Sequence, residues 1–165
     1  KLEDYFISYG KQDLREGECV AAILLPAPVD GQRFAIYKIS KRFEQDISAV
    51  CGAFALQLDD TTITRARICF GGMAAIPKRA TACEQALEGE AWIRQTIERA
   101  MQAMQADFTP LTDMRATASY RMRVAQNLLQ RFYLENTAPA YPVRLGVRHA
   151  TQQPGHAGES DGPSG

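Results

Sequence analysis

Residues 47–70 read ISAVCGAFALQLDDTTITRARICF, and this stretch decides the fold class. Two strand-like runs, 47–58 and 61–70, flank the pair Asp59-Asp60, and aspartate is favoured in tight turns. The second run alternates, though imperfectly, between apolar and polar residues, as a strand with one buried face does. Two such runs around a short polar turn predict an antiparallel β-hairpin.

Two more strands are predicted before this hairpin. Residues 32–40 alternate in the same way, and residues 18–25 form a short apolar run of the kind found in buried strands. The pair Asp30-Gly31 lies between them and is a strong hairpin signal. Because the connections are short, we expect an antiparallel sheet of three to four strands.

After Gly71-Gly72 the spacing of apolar residues changes to the three- and four-residue steps of helices. We interpret this pair as a glycine turn, because no phosphate-binding glycine motif surrounds it. The spacing predicts three helices, over residues 78–88, 90–105 and 117–134. Either Thr117 or Ser119 is suited to cap the third. Strands followed by helices predict an α+β fold with the helices packed on one face of the sheet.

The chain ends in a stretch rich in Pro, Gly, Ser and Gln, which cannot bury enough apolar surface to become ordered. We therefore assign residues 1–135 to one α+β domain and residues 136–165 to a flexible, disordered tail. A length of 165 residues suits a single domain. Because the sequence starts at Lys1 with neither an initiator methionine nor a signal-peptide pattern, we expect a piece of a longer cytoplasmic protein.

Composition argues against several classes of function. The 19 Lys and Arg balance the 19 Asp and Glu, so no overall field attracts nucleic acid or an anionic membrane. No apolar run reaches the ~20 residues that cross a bilayer. The four cysteines are far apart, unlike metal ligands, and both histidines lie in the tail, where they cannot serve a hydrolase triad. We expect no metal site and no catalytic residue.

Polar and charged residues fill the connection between the strands 32–40 and 47–58. Lys38 shares one strand face with Phe34 and Ile36. It is either a solvated lysine, as most lysines are, or a fixed ammonium presented to a flavin carbonyl or a phosphate. The charges after it are either a solvated loop or groups that tune a cofactor or steer an anionic substrate. The residues alone leave both interpretations open.

Two motifs carry a resemblance to a known family. They are Phe34-x-x-Tyr37-Lys38-x-Ser40-x-Arg42-x-x-x-Asp46-Ile47-Ser48-x-Val50 and Phe70-Gly71-Gly72-Met73-Ala74-x-x-Pro77-x-Arg79-Ala80. The pattern resembles the C-terminal domain of the molybdenum hydroxylase flavoproteins, and within that family it most resembles the small subunits of bacterial xanthine dehydrogenases. Segments around Tyr9 and Tyr120 fit the family in order and spacing, so the resemblance covers roughly residues 5–135.

The resemblance implies specific contacts with cofactors. It implies that the domain packs against a preceding FAD-binding domain, that Lys38 contacts FAD and that Val20 lines the flavin site. It also places four residues near the flavin and the nicotinamide, where they tune reactivity: Arg42, Phe43, Gln45 and Asp46. Animal relatives carry an arginine in place of Phe43 and an aspartate in place of Gln45, so their charge-dependent behaviour does not carry over to this chain.

In this family, xanthine or hypoxanthine is hydroxylated at a molybdenum cofactor on a large subunit, and electrons pass through iron–sulfur clusters to FAD and then to NAD⁺. The resemblance therefore implies a fragment of a purine-catabolic enzyme that is inactive alone. Its partners would be the FAD-binding and iron–sulfur domains, the molybdenum subunit and NAD⁺. Two alternatives stay open: the flavoprotein of a carbon monoxide dehydrogenase, and a subunit-packing domain without cofactor contact.

Overall fold

The computed structural model describes residues 1–27, 29–41 and 47–137 and shows an α+β fold. Its strands are β1 Phe6–Ser8, β2 Lys11–Gln12, β3 Gln32–Ile39, β4 Val50–Asp59, β5 Thr62–Gly71 and β6 Lys78–Arg79. Its helices are α1 Leu2–Tyr5, α2 Thr81–Gln85, α3 Arg94–Asp107 and α4 Ala118–Thr137. Within these described ranges, no helix has the length and apolar character needed to cross a membrane. Most of the predicted tail, residues 138–165, lies outside the described residues.

The main sheet has four antiparallel strands in the order β3-β4-β5-β6, which confirms the predicted fold class. The predicted hairpin is formed by β4 and β5, which pair along their length. Asp60 takes a φ of 52° in their turn, a conformation that aspartate adopts more readily than most residues. On the other side of β4 lies β3, with Ile39 opposite Val50. A small separate sheet joins β1 and β2.

The core lies between one face of this sheet and the helices. Along β4, buried and half-buried residues alternate, since every second side chain points toward the helices. Phe54 is fully buried, and its ring centroid is 5.4 Å from that of Phe132 on α4 and 5.6 Å from that of Phe70 on β5. Burial of one such side chain contributes about 1.5–3 kcal/mol, so this aromatic cluster holds α4 on the sheet.

The predicted buried strand over residues 18–25 is wrong. This segment lies outside every strand, and its large apolar side chains are exposed, Leu24 by 94% and Leu25 by 84%. The turn at Gly31 is present, with a φ of 75°, but it leads into β3 alone and closes no hairpin. The physical reason is that a strand needs a partner, and no strand among the described residues pairs with this segment.

The fourth strand is instead β6, at residues predicted to begin a helix over 78–88. Lys78 and Arg79 pair with Phe70 and Cys69 of β5. As a result α2 starts only at Thr81 and is a short helix of 5 residues. The predicted helix is therefore correct in place but wrong at both ends. Its start is later than predicted because its first residues pair with β5 in the sheet.

Two glutamates complete the edge of β5 where β6 stops. Glu84 Oε1 accepts a hydrogen bond from the Ile68 amide at 2.7 Å, and Glu88 Oε1 accepts one from the Ala66 amide at 2.9 Å. Glu84 is buried and also binds Arg79 through both carboxylate oxygens. A row of unpaired strand amides is a template for pairing with other chains. The two carboxylates therefore close an edge that a longer β6 would have covered.

The other two predicted helices are confirmed with shifted ends: α3 against 90–105, and α4 against 117–134. Residues before Arg94 bond to the end of the β4–β5 hairpin instead of to α3, since the Trp92 amide donates to the Thr61 carbonyl at 2.7 Å. Thr117 caps α4 as predicted, because its hydroxyl accepts a hydrogen bond from the Tyr120 amide at 3.2 Å.

Candidate functional site

In the part of the chain that the structure describes, the sheet face opposite the helices is open. Three cross-strand rows lie on it: Phe34–Ala55–Arg67, Ile36–Ala53–Cys69 and Lys38–Cys51–Gly71. On β3 the side chains of this face protrude, with Phe34 exposed by 64% and Ile36 by 60%, whereas the central strand carries small residues. An exposed apolar surface of this kind marks a place where a ligand or another domain binds.

Of the residues predicted to contact cofactors, Lys38 is placed on this open face, at the last exposed position of β3. Val20 is 52% exposed and lies in the exposed segment 18–25, not in the sheet. The remaining four, which were predicted to tune the flavin site, fall outside the described residues: Arg42, Phe43, Gln45 and Asp46.

A cleft of about 600 Å³ opens beside the row that contains Lys38, at the end of the sheet where β4 begins and β5 ends. Cys51 and Gly71 belong both to that row and to the wall of the cleft. Ile47 and Ser48, at the end of the charged connection, also line it. Most of the wall is apolar, and few polar side chains converge on it: Tyr9, Ser48, Asp113, Arg115 and Arg121. An apolar cleft on which a few polar side chains converge is a candidate small-molecule site.

The Gly71-Gly72 turn, predicted from sequence, forms one wall of the cleft. Gly72 has a φ of 81°, in the region that favours glycine, and a Cβ at this position would lie 2.4 Å from the Ala49 carbonyl oxygen. The backbone after β5 therefore approaches the backbone before β4 more closely than a side chain would allow.

Sequence reasoning did not select Arg121 of α4 as a site residue. It is 4% exposed, lines the cleft and donates hydrogen bonds to the carbonyl oxygens of Ala49 and Gly72 and to the Asp113 carboxylate. The signal was present in the sequence: Arg121 precedes the buried Ala125 by one helical turn, so a charge lies on the apolar stripe of α4.

Asp113 organises the turn that precedes α4. Its Oδ1 accepts hydrogen bonds from the amides of Arg115 at 2.8 Å and Ala116 at 3.1 Å, and from Arg121 Nη2 at 2.7 Å. These donors, the Arg115 amide first, stabilise the charged carboxylate and lower the pKa of Asp113 to about 2. The turn is therefore held by an ionised group throughout the physiological range.

The lowered pKa of Asp113 predicts a dependence of stability on acid. Its ordinary value is about 3.9, so the stabilisation is complete above that pH and is lost as pH falls toward about 2. We expect Asp113→Asn to lower the urea midpoint at pH 6, and the difference from the parent to shrink between about pH 4 and pH 2. A difference that stays constant across this window would contradict the assignment. Asp59→Asn, at the end of β4, is the control.

Comparisons with known proteins identify relatives of this chain. A family model of the CO dehydrogenase flavoprotein C-terminal domain matches residues 35–136. Nicotinate hydroxylase of Emericella nidulans is 29% identical over 139 residues, which cover 80% of this chain and 10% of that protein. The putative xanthine dehydrogenase FAD-binding subunit of Escherichia coli K12 is 27% identical over 132 residues, covering 79% of this chain and 45% of the subunit.

Solved structures show the same fold. Carbon monoxide dehydrogenase from Hydrogenophaga pseudoflava, in a form that lacks the Mo-pyranopterin moiety of its cofactor, matches with a TM-score of 0.73 at 26% identity, over 78% of this chain and 44% of that chain. This chain thus spans less than half the length of these relatives. The family model covers more than half of this chain and confirms the resemblance: the chain belongs to the CO dehydrogenase flavoprotein C-terminal domain family of the molybdenum hydroxylases.

Proposed function

We propose that this domain forms one wall of the flavin site in a molybdenum hydroxylase of the xanthine dehydrogenase type. The observation that supports the proposal is the open sheet face, where Lys38 lies beside the protruding Ile36 and Phe34. A sheet face that is apolar and uncovered needs a partner. The xanthine dehydrogenase subunit to which this chain is similar is described as FAD-binding, so we assign the flavin and its binding segment to this face.

The residues of this face fit the ring of a flavin. Ala53 and Gly71 leave room for a flat group to approach the strands, and Ile36 offers apolar contact. The ammonium of Lys38 is suited to donate to a ring carbonyl. The sequence has no G-x-G-x-x-G motif for the pyrophosphate, so we propose that a preceding segment holds that part of FAD. When bound, FAD supplies the electron transfer, and this chain orients it and shapes its surroundings.

We propose that the cleft beside Lys38 takes the nicotinamide of NAD⁺. The family resemblance associates the connection that ends at Ser48 with the nicotinamide site, and Ile47 and Ser48 line this cleft. The electrons would come from xanthine or hypoxanthine, through the molybdenum cofactor and iron–sulfur clusters of partner domains, in cytoplasmic purine catabolism. Hydride transfer from reduced flavin to NAD⁺ would require the two rings in direct contact, which fits a cleft that shares Cys51 and Gly71 with the open face.

The exposed segment 18–25 supports the same assembly. Its apolar side chains, including Val20 and Leu24, have no cover among the described residues. We propose that this segment packs against the FAD-binding segment, which would bring Val20 to the flavin.

The similarity to carbon monoxide dehydrogenase favours a second candidate, a flavoprotein domain that serves another molybdenum hydroxylase. In that case the open face would still meet the flavin, but purines would not reduce the enzyme. The two candidates are distinguished by adding xanthine, and then carbon monoxide, to the oxidised enzyme. Reduction of the enzyme by xanthine supports the first candidate, and reduction by carbon monoxide alone supports the second.

The test of the proposed function is Lys38→Ala in the intact enzyme. Loss of one charge-assisted hydrogen bond is expected to weaken FAD retention or to slow NAD⁺ reduction about tenfold or more. Reduction of the molybdenum site by substrate, measured in anaerobic stopped flow, should be unchanged. The control is Arg65→Ala, which removes an exposed cation from β5 near the opposite end of the sheet. Parental flavin content together with parental NAD⁺ turnover would refute the role of Lys38.

A further inference from the structure

We propose that Arg121 is a positioning residue for the electron acceptor: its guanidinium holds three walls of the cleft together and thereby sets the affinity of the cleft for NAD⁺. The inference rests on the proposed function of the cleft. Arg121 does not need to touch the acceptor, because it acts through the backbone segments that it binds.

The guanidinium reaches one atom in each of three segments. Nη1 donates to the carbonyl oxygen of Ala49, directly after Ser48, and to that of Gly72 at 2.9 Å, in the turn after β5. Nη2 donates to Asp113 Oδ1 at 2.7 Å, in the connection between α3 and α4. Residues of all three segments line the cleft. A single side chain on α4 therefore fixes their separation.

Burial makes this arrangement sensitive to substitution. Arg121 is 4% exposed, so its two carbonyl partners receive their donors in a poorly hydrated place, whereas the side chain of Asp113 is 37% exposed. Without the guanidinium, these acceptors would lose their hydrogen bonds, and three groups with negative charge or partial charge would face one another. We expect the segments to move apart or to admit water, which changes the shape of the cleft.

A second contact extends the effect to the other end of the charged connection. Lys41 Nζ donates to the Met114 carbonyl at 2.7 Å, and Met114 follows Asp113 in the same turn. The connection is thus attached to this turn near its beginning, by Lys41, and near its end, by Ala49 through Arg121. Arg115, whose side chain is 36% exposed, follows in that turn and lines the cleft.

Lysine cannot replace arginine in this role. The guanidinium has five N–H groups in a rigid plane, and here they span partners in three directions. The Nε of Arg121 is buried without a hydrogen-bond partner among the described residues. The side chain therefore holds this position at the cost of one unpaired N–H donor. An ammonium keeps the charge but is a compact donor on a flexible stem. Arg121→Lys therefore separates the geometric role of Arg121 from its charge.

The test measures steady-state kinetics of the intact enzyme with Arg121→Lys. Misplaced cleft walls are expected to raise the KM for NAD⁺ about tenfold, with a smaller change in kcat. Flavin content and the rate with a dye that takes electrons directly from the flavin should stay near parental values. Arg123→Lys, at an exposed position on the same helix, is the matched control. Leu129→Val in the core below α4 lowers stability without touching the cleft, and should leave the KM for NAD⁺ unchanged.

Asp113→Asn provides a second variant if Arg121→Lys fails to fold. It weakens one of the three attachments and leaves both carbonyl contacts, so the KM for NAD⁺ should rise by a smaller factor. A KM that matches the Arg123→Lys control in whichever of these variants folds overturns the inference, as does an equal rise in Leu129→Val. Failure of the parent enzyme to reduce NAD⁺ overturns the proposed function instead, and the two failures are thereby distinct.

Discussion

Replacing Glu84 by alanine is expected to lower the free energy of unfolding by about 3 kcal/mol, the lower end of the range for breaking a buried ion pair. Glu84 is buried on α2 and binds Arg79 through both carboxylate oxygens, while its Oε1 also accepts from the Ile68 amide. The substitution removes all of these contacts at once. It leaves a strand amide and a half-buried guanidinium without their main acceptor.

The measurement is urea unfolding followed by the fluorescence of Trp92, the single tryptophan, which is buried near Phe132 and Tyr133. Glu88→Ala is the matched control, because Glu88 accepts from the neighbouring Ala66 amide but is exposed. Its loss should cost about 1 kcal/mol or less. Equal effects of the two substitutions would show that burial and the Arg79 pair do not distinguish Glu84.

Gly72→Ala is expected to destabilise the domain by about 3 kcal/mol, the sum of a left-handed backbone and an overpacked contact. The φ of 81° at Gly72 disfavours any side chain, and the new Cβ would lie 2.4 Å from the backbone oxygen of Ala49. A backbone atom cannot rotate away as a flexible side chain can. The turn must therefore open, and the carbonyl contacts of Arg121 must lengthen with it.

The neighbouring Gly71→Ala is the control for this prediction. Its new Cβ would lie 3.8 Å from Cys51 Cβ, an ordinary van der Waals contact. We expect a stability change of about 1 kcal/mol or less, because β5 tolerates alanine well enough. Thermal unfolding of both variants decides the matter. If Gly71→Ala were as damaging as Gly72→Ala, the close approach between the ends of β4 and β5 would not be the cause.

Local patterns in the sequence predicted the elements whose burial is decided within this chain. The β4–β5 hairpin followed from two strand-like runs around Asp59-Asp60, and α4 from the helical spacing that ends near Phe132. Both elements bury their apolar face against each other, so pattern and structure agree. The glycine turn at Gly72 also followed from its residue type alone.

The predictions that failed share a different cause. Each concerned residues whose structure depends on a partner elsewhere in the fold, and the local sequence pattern does not identify that partner. Residues 18–25 have the composition of a buried strand, but no strand of the described residues pairs with them. Lys78 and Arg79 fit the start of a helix by their pattern, but in the structure they pair with the edge of β5. Arg121 was not predicted as a site residue, because its role depends on hydrogen bonds to carbonyl groups that are distant in sequence.

The contact of Lys38 with FAD was predicted from the family resemblance combined with the place of Lys38 on a strand. Periodicity predicted that Lys38 shares a face with Ile36 and Phe34, and the structure places all three on the open face. No pattern within the chain distinguishes a lysine that contacts a cofactor from one that contacts water. The distinction depends on what covers the face, which is why the proposed function needs a direct measurement.

That measurement is amine labelling of Lys38 in the intact enzyme, with and without bound FAD, quantified by mass spectrometry. Lys78, whose Nζ donates to the Asp107 carbonyl at 2.6 Å within this domain, is the internal reference. If the open face forms one wall of the flavin site, Lys38 should be labelled slowly when FAD is bound and faster once FAD is removed, while Lys78 keeps one rate. Labelling of Lys38 at the same rate in both states would contradict contact between this face and the flavin.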